Sequence, residues 1–206
     1  MGTGGSYPVA AAGAFGLMMA AVLAVAGDRH PFDRFGAANL VTTARAALMA
    51  LVAALAGVAG TADALWLAIG LTTIVALLDG MDGWLARRTG MASEFGARFD
   101  METDAALILA MSVLVWQHDK AGAWVVLCGL MRYGFAAAGW LLPWLARPLR
   151  STRRGKTVAV GQLVGLSVAL APIVPAPLSA GVAGATLAAL AWSFAVDIIW
   201  LAKRPG

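Results

Sequence analysis

The sequence predicts an all-α polytopic membrane protein of seven transmembrane helices, and three observations predict it. Hydrophobic residues make up 61% of the 206 residues and charged residues only 13%, a balance too apolar for a water-soluble domain. Uncharged stretches long enough to cross a bilayer recur along the chain, separated by short polar links. Lys and Arg exceed Asp and Glu, giving a net charge of +4, and these basic residues stand beside apolar segments. They read as topology signals and contacts to anionic lipid, so the bilayer is the expected partner and nucleic acid is not.

The first helix is expected over residues 8 to 27, which hold no charge. Ala24-Val25-Ala26 has the form of a signal-peptide cleavage site, but no Lys or Arg precedes the apolar run, so a retained span is expected. The opening Met1 to Ser6 fits the short myristoylation pattern; the apolar run behind it makes lipidation unnecessary. Residues 28 to 36 form a polar, interfacial link around Pro31.

The second helix contains Asn39, Thr42 and Arg45 at i, i+3 and i+6, followed by uncharged residues from 46 to 62. On its own this reads as a helix capped by Asn39 with Arg45 snorkelling to the interface. The third runs apolar from 64 to 78 into Asp79, and the fourth spans about 93 to 117 with its acidic end first. His118, Asp119 and Lys120 make the turn at its far end. The fifth, from 121 to 146, is interrupted by Arg132 and Pro143. An Arg in such a helix should face the interior, as a partner for a carboxylate or as part of an anion pocket.

Arg147, Arg150, Arg153, Arg154 and Lys156 form the densest basic run, as expected of a cytoplasmic loop. From 157 to 196 there is no charge, too long for one helix, and Pro172, Pro175 and Pro177 divide it into the sixth and seventh. Asp197 is read either as the partner of a basic residue or, by preference, as reaching the interface beside Lys203 and Arg204. Cys128, the single cysteine, lies in an apolar run and excludes an intrachain disulfide or a cysteine metal site. Placing the links at 28 to 37, 87 to 92, 146 to 156 and 203 to 206 on one side gathers the basic residues there and leaves Lys120 across the membrane. That side is expected to be cytoplasmic, in an inner-membrane protein, with the amino terminus outside.

The chemistry concentrates between residues 79 and 104. Asp79, Asp82, Gly83 and Arg87 fall on one helical face, Gly96, Asp100 and Asp104 on another, with Gly90 as the reversal between them. Facing stripes would form a cup of four carboxylates. Each ionisable group inside a membrane costs about 2.5 to 3.5 kcal/mol, so uncompensated carboxylates would be untenable. Pairing with Arg87, Arg88 and Arg98 would not require the glycines. One or two divalent cations in a water-accessible cavity would offset the cost of the carboxylates, and a donor set without Cys or His favours Mg²⁺ or Mn²⁺ over zinc.

These residues stand at every fixed position of D-x2-D-G-x2-A-R-x8-G-x3-D-x3-D, and in this the chain resembles the CDP-alcohol phosphotransferase (CDP-alcohol phosphatidyltransferase) family. The resemblance implies a six-helix core over 38 to 206 behind an extra N-terminal helix and link over 1 to 37, in one catalytic domain over 1 to 206. It implies two ions held by Asp79, Asp82, Asp100 and Asp104, with Asp104 also taking the proton of the acceptor alcohol. It further implies CDP-lipid contacts from Asn39, Leu40, Val41, Thr42, Gly83, Arg87 and Ser93, and a homodimer. Gly155-Lys156-Thr157 with Gln162 loosely resembles a segment of members that use phosphorylated acceptors, though a residue and a second Lys of that segment are missing, so Arg153, Arg154 and Lys156 are acceptor-site candidates, joined by Arg132 as part of an anion pocket.

The expected reaction is attack of an alcohol on the β-phosphate of CDP-diacylglycerol, with release of CMP. One alternative is a CDP-choline or CDP-ethanolamine type transfer to diacylglycerol. Another is a divalent-cation carrier, which would need carboxylates in the membrane but none of the glycine, alanine and arginine positions.

Overall fold

The computed structural model describes residues 6–26, 36–57, 60–89, 93–147 and 152–203. Among the described residues it contains seven α-helices, the number expected, and no strand. They are α1 (Ser6–Ala26), α2 (Ala37–Ala54), α3 (Ala62–Thr89), α4 (Glu94–Gln117), α5 (Leu127–Leu141), α6 (Arg153–Leu170) and α7 (Ala176–Ala202). Four helical segments among the described residues are long and apolar enough to cross a membrane: Ala37–Gly57, Ala62–Leu85, Ala123–Leu141 and Ala176–Ala202. The protein is therefore an integral membrane protein. α4 opens with Glu94, Arg98, Asp100, Glu102 and Asp104, and α6 with Arg153, Arg154 and Lys156, so each mixes a charged beginning with an apolar remainder.

The chain forms two compact units, Met1–Ala110 and Met111–Gly206. In the first, α2 packs against both α1 and α3. The extra helix α1 is fastened to α2 by Tyr7, whose hydroxyl donates to the Leu51 carbonyl at 3.0 Å, with Ala11 and Met18 buried farther along. α2 begins after Gly36, whose φ of 81° is a conformation that glycine adopts without strain. Gly36, not Asn39, holds the N-cap position, and Asn39 lies inside the first turn.

Buried residues trace one stripe along each of the next helices. On α2 it runs through Asn39, Thr42, Arg45, Met49 and Val52. On α3 it runs through Leu65, Ala68, Thr72 and Val75, and its continuation at i+4 is Asp79. At about 1.5 Å per residue, the 28 residues of α3 span about 42 Å, longer than a hydrocarbon core of about 30 Å. The surplus length is the polar end that carries Asp79. Along α4, Phe95, Phe99, Thr103, Leu107, Met111 and Leu114 are buried, and Asp100 and Asp104 flank that stripe.

In the second unit α6 packs on α7 so closely at Gly165 that an added Cβ would collide with the Thr186 methyl group. Phe135 of α5 meets Phe194 of α7 with ring centroids 5.4 Å apart. Pro172 and Pro175 stand in the link between α6 and α7, and Pro177 is in the first turn of α7, as their lack of an N–H allows. Two polar ties differ from the sequence expectation. Asp197 does not simply reach the interface: it forms an ion pair with Arg154, whose Nε also donates to Ser193 Oγ at 3.3 Å. Lys120 does more than make a turn, because its ammonium donates to the carbonyls of Ala171 at 2.9 Å and Val174 at 2.6 Å in the link after α6. Ala171 caps the C-terminal end of α6, where the helix dipole favours a cation.

Arg154 and Asp197 are about a quarter exposed, 23% and 25%, so losing one partner leaves the other only partly hydrated. Asp197→Leu is expected to destabilise the protein by about 1–3 kcal/mol. Thermal melting in detergent checks this, with Arg154→Met/Asp197→Leu losing less than the two single changes added together.

Candidate metal centre

Three helices of the first unit bring their polar positions to one place. Asp79 comes from the polar end of α3, Asp100 and Asp104 from successive turns of α4, and Arg45 from the middle of α2. One carboxylate oxygen from each aspartate lies within 4.8 Å of the others. The two stripes read from the sequence therefore do meet at these three residues. Asp82, Ala86 and Arg87 lie on helical backbone in α3, but their side chains fall outside the described residues, as does the reversal at Gly90.

Arg45 does not snorkel. Its side chain is 0% exposed and its guanidinium pairs with all three carboxylates, with Nη2 2.8 Å from Asp79 Oδ1. Nη1 donates to Asp100 Oδ1 and Nη2 to Asp104 Oδ1. The aspartates are more open, at 45%, 37% and 36% exposure for Asp79, Asp100 and Asp104. Three carboxylates against one guanidinium leave two formal negative charges in surplus, the charge of one divalent cation. Oxygen-only donors, close spacing and access from outside fit a hard cation such as Mg²⁺ or Mn²⁺. The spacing N-x2-T-x2-R puts Arg45 on one face with Asn39 and Thr42, in a segment that resembles the family's nucleotide-holding one, but it does not reveal the three aspartates as the partners of Arg45. The signal for an acidic partner was available: an Arg amid apolar helix is retained where one faces it.

The segment before the aspartates is built against the start of α4. Ser93 caps that helix, its Oγ accepting from Gly96 N at 3.0 Å. A Cβ on Gly96 would sit 3.0 Å from Asn39 Oδ1 and 3.4 Å from Ser93 Oγ, so the missing side chain is what allows α4 to approach α2 here. Asn39 and Thr42 are buried beside this contact, whereas Leu40 is 62% exposed and Val41 half-buried. Of the four-residue segment, only Asn39 and Thr42 thus share the inward stripe. Gly83 is half-buried on α3.

The acceptor-site candidates belong to the second unit. Arg132 is half-buried on α5, and Arg153 and Lys156 are exposed in the first turn of α6. Arg154, between them, is turned to Asp197, and Trp192 lies 5.8 Å from its guanidinium carbon. Thr152 caps α6, its Oγ1 accepting from Gly155 N at 3.1 Å. Three cations in the first turn of a helix oppose its dipole, so their presence asks for a negative partner outside the helix.

Part of the chain is similar to the CDP-diacylglycerol–glycerol-3-phosphate 3-phosphatidyltransferase of Cereibacter sphaeroides, with 32% identity over 62 residues. That match covers 30% of this chain and 28% of that enzyme's length. No solved structure matches the chain. The family model for CDP-alcohol phosphatidyltransferases matches residues 35–198, which takes in α2 through most of α7 and leaves out α1. On that match, and with three of the four aspartates of its signature gathered at one site, the chain belongs to the CDP-alcohol phosphatidyltransferase family.

Proposed function

We propose that the protein transfers a phosphatidyl group from CDP-diacylglycerol to a polar alcohol and releases CMP. The observation that carries this reading is the cluster of Asp79, Asp100 and Asp104 with ligand atoms within 4.8 Å, in a chain of this family. The similarity to an enzyme named for CDP-diacylglycerol and glycerol 3-phosphate favours a lipid donor over a small CDP-alcohol. The single catalytic domain over the whole chain, in an inner membrane with its site toward the cytoplasm, belongs to the same proposal.

Asp79, Asp82, Asp100 and Asp104 would hold Mg²⁺ or Mn²⁺, two ions in the proposed complex, which when bound neutralise charge on the diphosphate. Asp104 accepts the proton of the acceptor hydroxyl. The hydroxyl oxygen bonds to the β-phosphorus, the bond from that phosphorus to the bridging oxygen breaks, and CMP departs with that oxygen. Asn39, Thr42, Gly83, Arg87 and Ser93 are the proposed contacts of the nucleotide. Arg87 offers a planar, permanently charged donor for a phosphate, and Gly83 leaves room for the nucleotide to approach α3. For the acceptor, the exposed Arg153 and Lys156 suit a phosphorylated alcohol.

Purified protein given CDP-diacylglycerol or CDP-choline, each with a panel of acceptors, should release CMP only with the lipid donor. Glycerol 3-phosphate, inositol phosphate, inositol and serine are the acceptors for the first donor, and diacylglycerol for the second. Exclusive use of CDP-choline would overturn the choice of donor. Metal uptake into liposomes without CMP release from either would indicate a carrier instead.

A further inference from the structure

We propose that Arg45 is the resident counter-ion of the carboxylate cluster, a positioning residue that holds Asp79, Asp100 and Asp104 together before a metal ion arrives. Its guanidinium is fully buried while the carboxylates are a third to nearly a half exposed, so it reaches them from the protein side. Each of the three aspartates meets the guanidinium through its Oδ1 atom, which makes Arg45 the common partner of α3 and α4. Three carboxylates within 4.8 Å of one another repel strongly in a partly dry setting, and a permanently charged guanidinium offsets that repulsion. An arginine buried in an apolar helix is retained only when paired, so each side of this contact justifies the other.

Two consequences follow, one independent of metal and one resting on the reading that the cluster binds a divalent cation. Without metal, Arg45 keeps the cup assembled. With metal, part of its charge compensation is taken over by the ion, so a protein lacking Arg45 depends far more on metal for stability.

The test melts wild type, Arg45→Lys, Arg45→Met, Asp104→Asn and Arg45→Met/Asp104→Asn in detergent, first in EDTA and then across a Mn²⁺ titration. In EDTA, Arg45→Met should melt about 10 °C below wild type, with Arg45→Lys between them. Asp104→Asn should lower the melting temperature when Arg45 is present, because it weakens a pair, and raise it in Arg45→Met, because it relieves repulsion. Lost packing alone would not produce that reversal of sign. Mn²⁺ should raise the melting temperature of Arg45→Met by at least about 5 °C more than that of wild type. A shift by Asp104→Asn in the same direction with and without Arg45 would overturn the counter-ion role. If Arg45→Met does not yield folded protein, Arg45→Gln serves for the same comparison. The reversal in EDTA without any Mn²⁺ shift would uphold the counter-ion role and overturn the metal reading instead.

Discussion

Asp104→Asn is expected to lower the rate of CMP release by about 10²–10⁴-fold while leaving CDP-lipid binding largely intact. The amide keeps the shape of the carboxylate and still offers Arg45 an oxygen, so the contact between α2 and α4 can persist. What it removes is the ability to take a proton from the attacking alcohol. Asp104 is suited to that task because it stands among the metal-ligand candidates and is 36% exposed, so an incoming hydroxyl can approach it. Steady-state kinetics with a saturating CDP-lipid, together with direct lipid-binding measurements, separate the two effects. Turnover within about threefold of wild type would remove Asp104 as the base, and a parallel loss of lipid binding would make it chiefly a structural ligand.

Chelation should have an effect as large. EDTA is expected to reduce CMP release to background and added Mg²⁺ or Mn²⁺ to restore it, because the pairing with Arg45 leaves part of the carboxylate charge uncompensated. Arg45 is already committed to all three carboxylates, and two negative charges remain beyond what it balances. Asp100→Asn should then require at least about tenfold more metal for half-maximal rate, because it removes both a ligand charge and an anchor of Arg45. An activity indifferent to EDTA, or an unchanged metal requirement in Asp100→Asn, would mean that the cluster serves another purpose.

The helices and the carboxylate stripes were legible in the sequence because both are local properties. Residues three and four apart share a helix face whatever the rest of the chain does, so Asp79 with its neighbours and Asp100 with Asp104 could be paired by counting. Proline likewise announced the division between α6 and α7. The partners of isolated charges were not legible in the same way. Arg45 meets residues 55 and 59 positions away, so its place on one face with Asn39 and Thr42 could mark it as inward-facing without naming its partners. Arg154 and Asp197 are 43 positions apart, and Lys120 finds carbonyl groups 51 and 54 positions away. In each case the sequence displays a charge that must be compensated, and only the fold supplies its partner. Asn39 shows the converse: a good capping residue yielded that place to Gly36, and its buried oxygen instead meets the bare face of Gly96.

Electron paramagnetic resonance of Mn²⁺ titrated into the purified, metal-stripped protein tests the centre most directly, because it counts bound ions without requiring a substrate. The free-ion signal should be depleted by wild-type protein and recover when Asp79 and Asp100 are both changed to asparagine. A free-ion signal the same for both proteins would contradict the claim that these aspartates share a metal.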